Sequence, residues 1–200
     1  MENVYAIFAV DPGGSTGLAW GCFHKDDQTV QEAFKNKFAY GQFTIEDTDR
    51  NQVVEISRRW RQLYKTWVNG LHIPPHDCYM VIEDFVLGPK TPSGKAPLRP
   101  INIGQGVYYY RLGSSHEHER WNCGDIPPVL VYWQTPGQAS AFARDQRLKD
   151  WGVWIKGKDH ERSAWRHVAL RIALIQERQR HQQPPRARTR VRRRSQLKTA

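Results

Sequence analysis

Cysteine is scarce in this chain. Three occur, Cys22, Cys78 and Cys123, widely spaced and with no CxxC pair. That excludes a disulfide framework and a zinc knuckle, and it suits a reducing, cytoplasmic setting. Long apolar runs are also missing: nothing approaches the roughly 18 residues that a membrane-spanning helix needs. The amino-terminal run "VYAIFAV" is short, follows an acidic residue at position 2 and ends at Asp11. It reads as a buried strand rather than a signal peptide. No internal repeat is visible. No GxxxxGK[ST] stretch occurs either, which excludes a Walker-type phosphate loop.

Apolar material is still sufficient for a core, with 39% hydrophobic residues and eight Trp among 200. That length suits one domain with a tail. The net charge of +10 is unevenly spread: residues 180–200 hold eight Lys or Arg and no acid, so the first 179 carry only +2. The chain therefore divides into a nearly neutral domain, 1–180, and a basic segment, 181–200. "PPRARTRVRRRSQLK" has no apolar periodicity and is expected to be disordered when free. Arg186, Arg188, Arg190, Arg192, Arg193 and Arg194 suit a polyanion, of which nucleic acid is the commonest. The alternative is a solubilising tail.

Hydrophobic periodicity orders the elements. "VYAIFAV" (4–10), "GLAWGCF" (17–23) and "KFAYGQFTI" (37–45) read as three strands in an antiparallel meander. Val53, Ile56, Trp60, Leu63 and Trp67 then step by 3, 4, 3, 4, an amphipathic helix stopped by Gly70. "CYMVIED" (78–84) is a strand, residues 101–112 a helix, and "PVLVYW" (128–133) a strand. Thr135, Pro136 and Gln138 mark a helix start by capping-box spacing and Pro at the first helical position. A last helix runs from about Asp159 to Arg180 on a stripe of Ala164, Val168, Ile172 and Ile175. The order β-β-β-α-β-α-β-α implies an α/β fold, a mixed sheet with helices on its faces. Ligands and chemistry collect at the carboxyl ends of the strands in such sheets.

Two acids stand at such ends. Asp11 closes the first strand before "PGGSTG", and Glu83 closes the fourth. Carboxylates buried together repel unless a cation lies between them. Mg²⁺ prefers such oxygen ligands, and divalent ions there can activate water against a phosphodiester. The plainer reading is a turn at Asp11, for which Asp-Pro-Gly is good chemistry, and a solvated strand end at Glu83. "DPGGSTG" also suits the first phosphate loop of the actin and sugar-kinase superfamily, but those folds need two related halves and a longer chain.

Asp11 with "PGGSTG", Glu83 in "VIED" and a last helix opening on "DHERSAWRH", in this order, resemble the RuvC family of Holliday-junction resolvases, within the ribonuclease H-like superfamily. The stretch "QTPGQASAFARDQRLKDWGVWIKGKDHERSAWRH" is similar to the version in bacteriophage relatives. The likeness spans roughly residues 4–178. It implies a ribonuclease H-like five-stranded sheet with helices on both faces. It also implies a Mg²⁺- or Mn²⁺-dependent endodeoxyribonuclease in the cytoplasm (the host's, if phage-encoded). Such an enzyme is a homodimer that places one site on each of two strands of a four-way DNA junction. Asp11 and Glu83 match the first two metal-binding acids. The third part of the pattern is an acid or His followed three residues later by Asp, and here it reads His160 and Ser163. A hydroxyl is a poorer Mg²⁺ ligand than a carboxylate. Asp159 takes over, or water fills the gap, or catalysis is weakened. A junction-binding protein without catalysis is therefore the alternative.

Four residues back along the stripe from Ala164 lies His160, which should face the acids as metal ligand or general base, or else simply pack. Asp159 is a candidate for the site and equally for the helix N-cap. Glu161 and Arg162 are expected to face solvent or DNA. His167, one heptad past His160, is expected to be half-buried or to touch the site indirectly. Lys156 and Lys158 are placed for contacts to a strand phosphate. "GPKTPSGK" reads as a basic loop and "HEHE" (116–119) as an ordinary one. Trp60, Trp67 and Trp165 are mainly core, though an aromatic can stack on an unpaired base.

Deleting residues 181–200 should weaken DNA binding and flatten its dependence on salt, with Tm nearly unchanged. An unchanged salt slope would mean that the tail does not touch DNA.

Overall fold

The computed structural model describes residues 3–85, 98–113 and 130–182, without the side chains of 109–113. The basic loop after Glu83, "HEHE", Cys123 and Arg186 to Arg194 lie outside the described residues. Five strands form one sheet in the order β3-β2-β1-β4-β5. They are β1 (Val4–Asp11), β2 (Thr16–His24), β3 (Phe38–Ile45), β4 (Cys78–Glu83) and β5 (Leu130–Gln134). The first three form the expected antiparallel meander, while β4 and β5 run parallel to β1.

The central strand β1 is buried along its whole length, because helices cover both faces of the sheet. Its even-numbered side chains from Val4 to Val10 join one core with Met80 and Ile82 of β4. That core is closed by α2 (Asp49–Lys65) and α3 (Arg99–Gly113), through Ile56, Trp60, Ile103 and Val107. The odd-numbered Tyr5, Ile7 and Ala9 face the other way with Val81. This second core is closed mainly by the last helix, through Ala164, Trp165, Val168 and Ile172. Alternation along a strand has period two, so Asp11 and Glu83 continue the second row. Both acids point toward the last helix.

Shorter elements fill in the architecture. Helix α1 (Val30–Asn36) lies between β2 and β3, where the sequence reading has no helix. Its mark in the sequence is a capping box, Thr29 with Glu32. Helix α2 runs on into a π-helical turn (Thr66–Gly70), close to its expected stop. The Thr135–Gln138 capping box forms as expected, but α4 (Pro136–Phe142) is short and is followed by α5 (Asp145–Asp150). The last helix, α6 (Asp159–Gln182), carries the expected stripe. No helix among the described residues is long and apolar enough to cross a membrane. The result is the ribonuclease H-like architecture, a mixed five-stranded sheet flanked by helices.

Helix α6 sits unusually close to the sheet at one point. A Cβ added to Gly17 of β2 would lie 2.2 Å from the carbonyl carbon and oxygen of His160 and 2.7 Å from the nitrogen of Glu161. Those are backbone atoms, so the helix start itself would have to shift. Deeper along α6, the Arg171 guanidinium lies 3.3 Å from the centre of the Tyr132 ring and helps hold β5 by cation–π attraction. Gly17→Ala should therefore destabilise the fold by about 1–3 kcal/mol, the range for overpacking, and lower Tm by several degrees. An unchanged melting curve would refute the close backbone contact.

Candidate active site

The carboxyl ends of three strands meet under the start of α6. Val10 pairs with Ile82, and Glu83 with Gln134. Asp11, Glu83 and Gln134 therefore stand side by side across β1, β4 and β5. All three are buried, each under a tenth exposed. The β1–β2 turn that follows Asp11 is tied down from α2. There the buried Gln52 accepts from the Thr16 hydroxyl and donates to the carbonyl of Gly14 at 3.2 Å.

One helix face meets this row. His160 Nδ1 lies 3.0 Å from Asp11 Oδ2. Ser163 Oγ donates to Glu83 Oε2 at 3.3 Å. His167 Nε2 lies 2.8 Å from the same oxygen, and its Nδ1 lies 3.1 Å from Gln134 Oε1. Residues 160, 163 and 167 share a face by helical period. His160 thus faces the acids as its register predicts. Gln134 escaped the sequence reading, and His167 is more buried than expected, with no exposure at all. Gln134 has the same mark as the two acids, a polar residue ending an apolar strand.

Three expectations need correction. Asp159 is not the N-cap: the Arg162 amide bonds to the Lys158 carbonyl, so Lys158 holds that position and Asp159 is the first helical residue. Its side chain is 77% exposed and pairs with Arg162, so it does not join the acids. Glu161 does not face solvent. It is 3% exposed, since the helix start rests on β2 at Gly17, and its Oε1 lies 3.5 Å from Lys158 Nζ. Arg162 is turned back onto the protein, over the Trp154 ring and bonded to the Ile155 carbonyl at 2.7 Å. Lys156 is exposed in the turn before α6.

The electrostatics are those of a site short of positive charge. Among the described residues no Lys or Arg pairs with Asp11 or Glu83, and their ionic partners are the two imidazoles. Burial pushes the Asp11 carboxyl up to about 6; the His160 hydrogen bond works against this, and neighbouring Glu83 adds to it. The bond to Asp11 holds His160 above its ordinary range. Asp11 Oδ1 and Glu83 Oε1 have no hydrogen-bond partner among the described residues. No group of three or more His, Cys, Asp or Glu among those residues is gathered closely enough to hold a metal by itself. Two carboxylates do suit Mg²⁺, which keeps several waters and is commonly held by one or two carboxylates plus substrate phosphate. The donor set thus fits a divalent cation that is completed by water and substrate.

No protein-family model matches the chain, and no curated protein does. Among solved structures, Thermus thermophilus RuvC in complex with a Holliday junction substrate aligns over 88% of this chain and 96% of its own, at 10% identity and a TM-score of 0.48. A second Thermus thermophilus RuvC structure aligns over 87% and 96%, at 11% identity and a TM-score of 0.47.

The shifted acid makes stability depend on pH. A carboxyl whose folded pKa exceeds its unfolded value stabilises the fold while protonated, and that contribution is lost as pH rises through about 6. His160 acts in the same direction, with its contribution lost as pH rises through its elevated folded value. In metal-free protein, Asp11→Asn should gain stability over wild type by about 3 kcal/mol as pH rises from about 4 to 7. Thermal melts in chelator at both pH values measure this, and an equal offset at the two would refute it.

Proposed function

We propose that this chain is a divalent-metal-dependent endonuclease that cuts branched DNA, with the four-way junction as its substrate class, and works as a homodimer. The observation that carries this reading is the pair of buried carboxylates, Asp11 and Glu83, at adjacent strand ends without a Lys or Arg counter-charge among the described residues. Buried charges of one sign repel each other, and a cation between them relieves that repulsion. A bound divalent ion supplies charge neutralisation at a phosphate and makes water more acidic. Asp11 and Glu83 would hold it. His160 uses Nδ1 to orient Asp11 and has a half-exposed ring, whose other nitrogen would serve as general base toward the attacking water. Ser163 and His167 orient Glu83. Lys156 and Lys158, exposed just before α6, would contact phosphates of the bound strand, and the Arg-rich tail would add affinity without sequence information.

One observation favours a second reading, a junction-binding protein without catalysis on the same fold. Ser163 supplies no third carboxylate, and Asp159 does not replace it. The two readings separate on a synthetic four-way junction. The nuclease nicks it in Mg²⁺ or Mn²⁺, and Asp11→Asn lowers cleavage by at least a hundredfold while binding persists. A folded protein that shifts the junction on a gel but cuts it with neither metal would overturn the nuclease in favour of the binder.

A further inference from the structure

Each acid in the site has one oxygen already committed. Asp11 Oδ2 faces His160 Nδ1. Glu83 Oε2 faces both His167 Nε2 and Ser163 Oγ. An ionised carboxylate only accepts hydrogen bonds, so His167 must present an N–H to it from Nε2. The ring has no room to swing away. It is completely buried, and Gln134 braces its other nitrogen from the end of β5. Gln134 can offer either end of its amide to Nδ1, since a half-turn exchanges acceptor for donor. Its Nε2 is buried without a partner among the described residues, so one end is spare.

A second cation at Glu83 would need the oxygen that His167 already occupies. It would also need another anionic ligand from α6. Ser163 offers a hydroxyl there, and Asp159 points into solvent. Charge balance leads to the same count: two carboxylates match one divalent ion, and a second would leave the buried site strongly positive. We propose that the site takes a single divalent cation, shared by Asp11 and Glu83, and that His167, braced by Gln134, is the positioning residue that holds Glu83 where a second cation would otherwise bind. This inference rests on the metal-dependent reading above.

Electron paramagnetic resonance of Mn²⁺ titrated into the full chain tests it, with the site's share taken as the part that Asp11→Asn abolishes. Wild type should bind one ion per chain, and so should Ser163→Asp, in which His167 still holds Glu83 Oε2; only the double variant Ser163→Asp/His167→Leu should bind two. The nicking rate of wild type should rise with the first power of Mg²⁺ concentration. His167→Leu should weaken Mn²⁺ binding about 10–100-fold, as removal of an outer-shell partner does, and His167→Gln, which keeps an N–H in reach, should recover most of it. Gln134→Leu gives the same readout if His167→Leu does not fold. Two ions in wild type or in Ser163→Asp, a second-power rate law, or full affinity in the folded Leu variants would each overturn the inference and leave the nuclease reading intact. No Mn²⁺ binding by the folded protein would overturn both.

Discussion

Asp11 and Glu83 are buried side by side at the ends of neighbouring parallel strands, and much of the surrounding structure answers the repulsion between them. Two like charges in a poorly solvated place each make the other costly to ionise. The described part of the chain meets that cost without Lys or Arg. It uses hydrogen bonds from one helix instead: His160 to the first acid, Ser163 and His167 to the second. For α6 to bring all three, its first turn must rest almost directly on β2. Only a residue without a side chain permits that at Gly17. The glycine in one strand and the two histidines two turns apart on α6 are thus parts of one arrangement.

Much of this was legible in the sequence because it follows from short periods. Alternation along β1 and β4 sets which face the acids take, and the stripe through Ala164 sets the face of His160. The order and type of the long elements follow in the same way. What escaped depends on contacts between distant segments. Helix α1 has only seven residues, too few for its periodicity to stand out beside two strong strands, although its capping box was there to be read. Asp159 and Glu161 exchanged their expected environments because β2 lies beneath the helix start, which no local pattern reveals. Gln134 and His167 are both polar, and hydropathy alone argues for exposing them. They are buried because each satisfies the other and Glu83, a mutual arrangement that exists only once three strands and a helix have met.

The cations around the site sharpen the division of labour in the proposed enzyme. Near the start of α6 and the β1–β2 turn, Lys158 pairs with Glu161, Arg162 with Asp159, Arg166 with Asp145, and Arg99 with Asp49. Positive charge that is already paired attracts a phosphate weakly. A DNA strand approaching the metal-free site would therefore meet two acids behind a nearly balanced rim. Beyond the exposed Lys156, attraction has two further sources. The residues beyond 182 carry seven Lys or Arg and no acid, which suits capture of any polyanion from a distance. A divalent cation on Asp11 and Glu83 would reverse the sign of the field at the one point where a phosphate must dock. On this reading, overall affinity follows salt through the tail, and correct seating of the strand follows the metal through the core. The two dependences are separable because they arise in different parts of the chain.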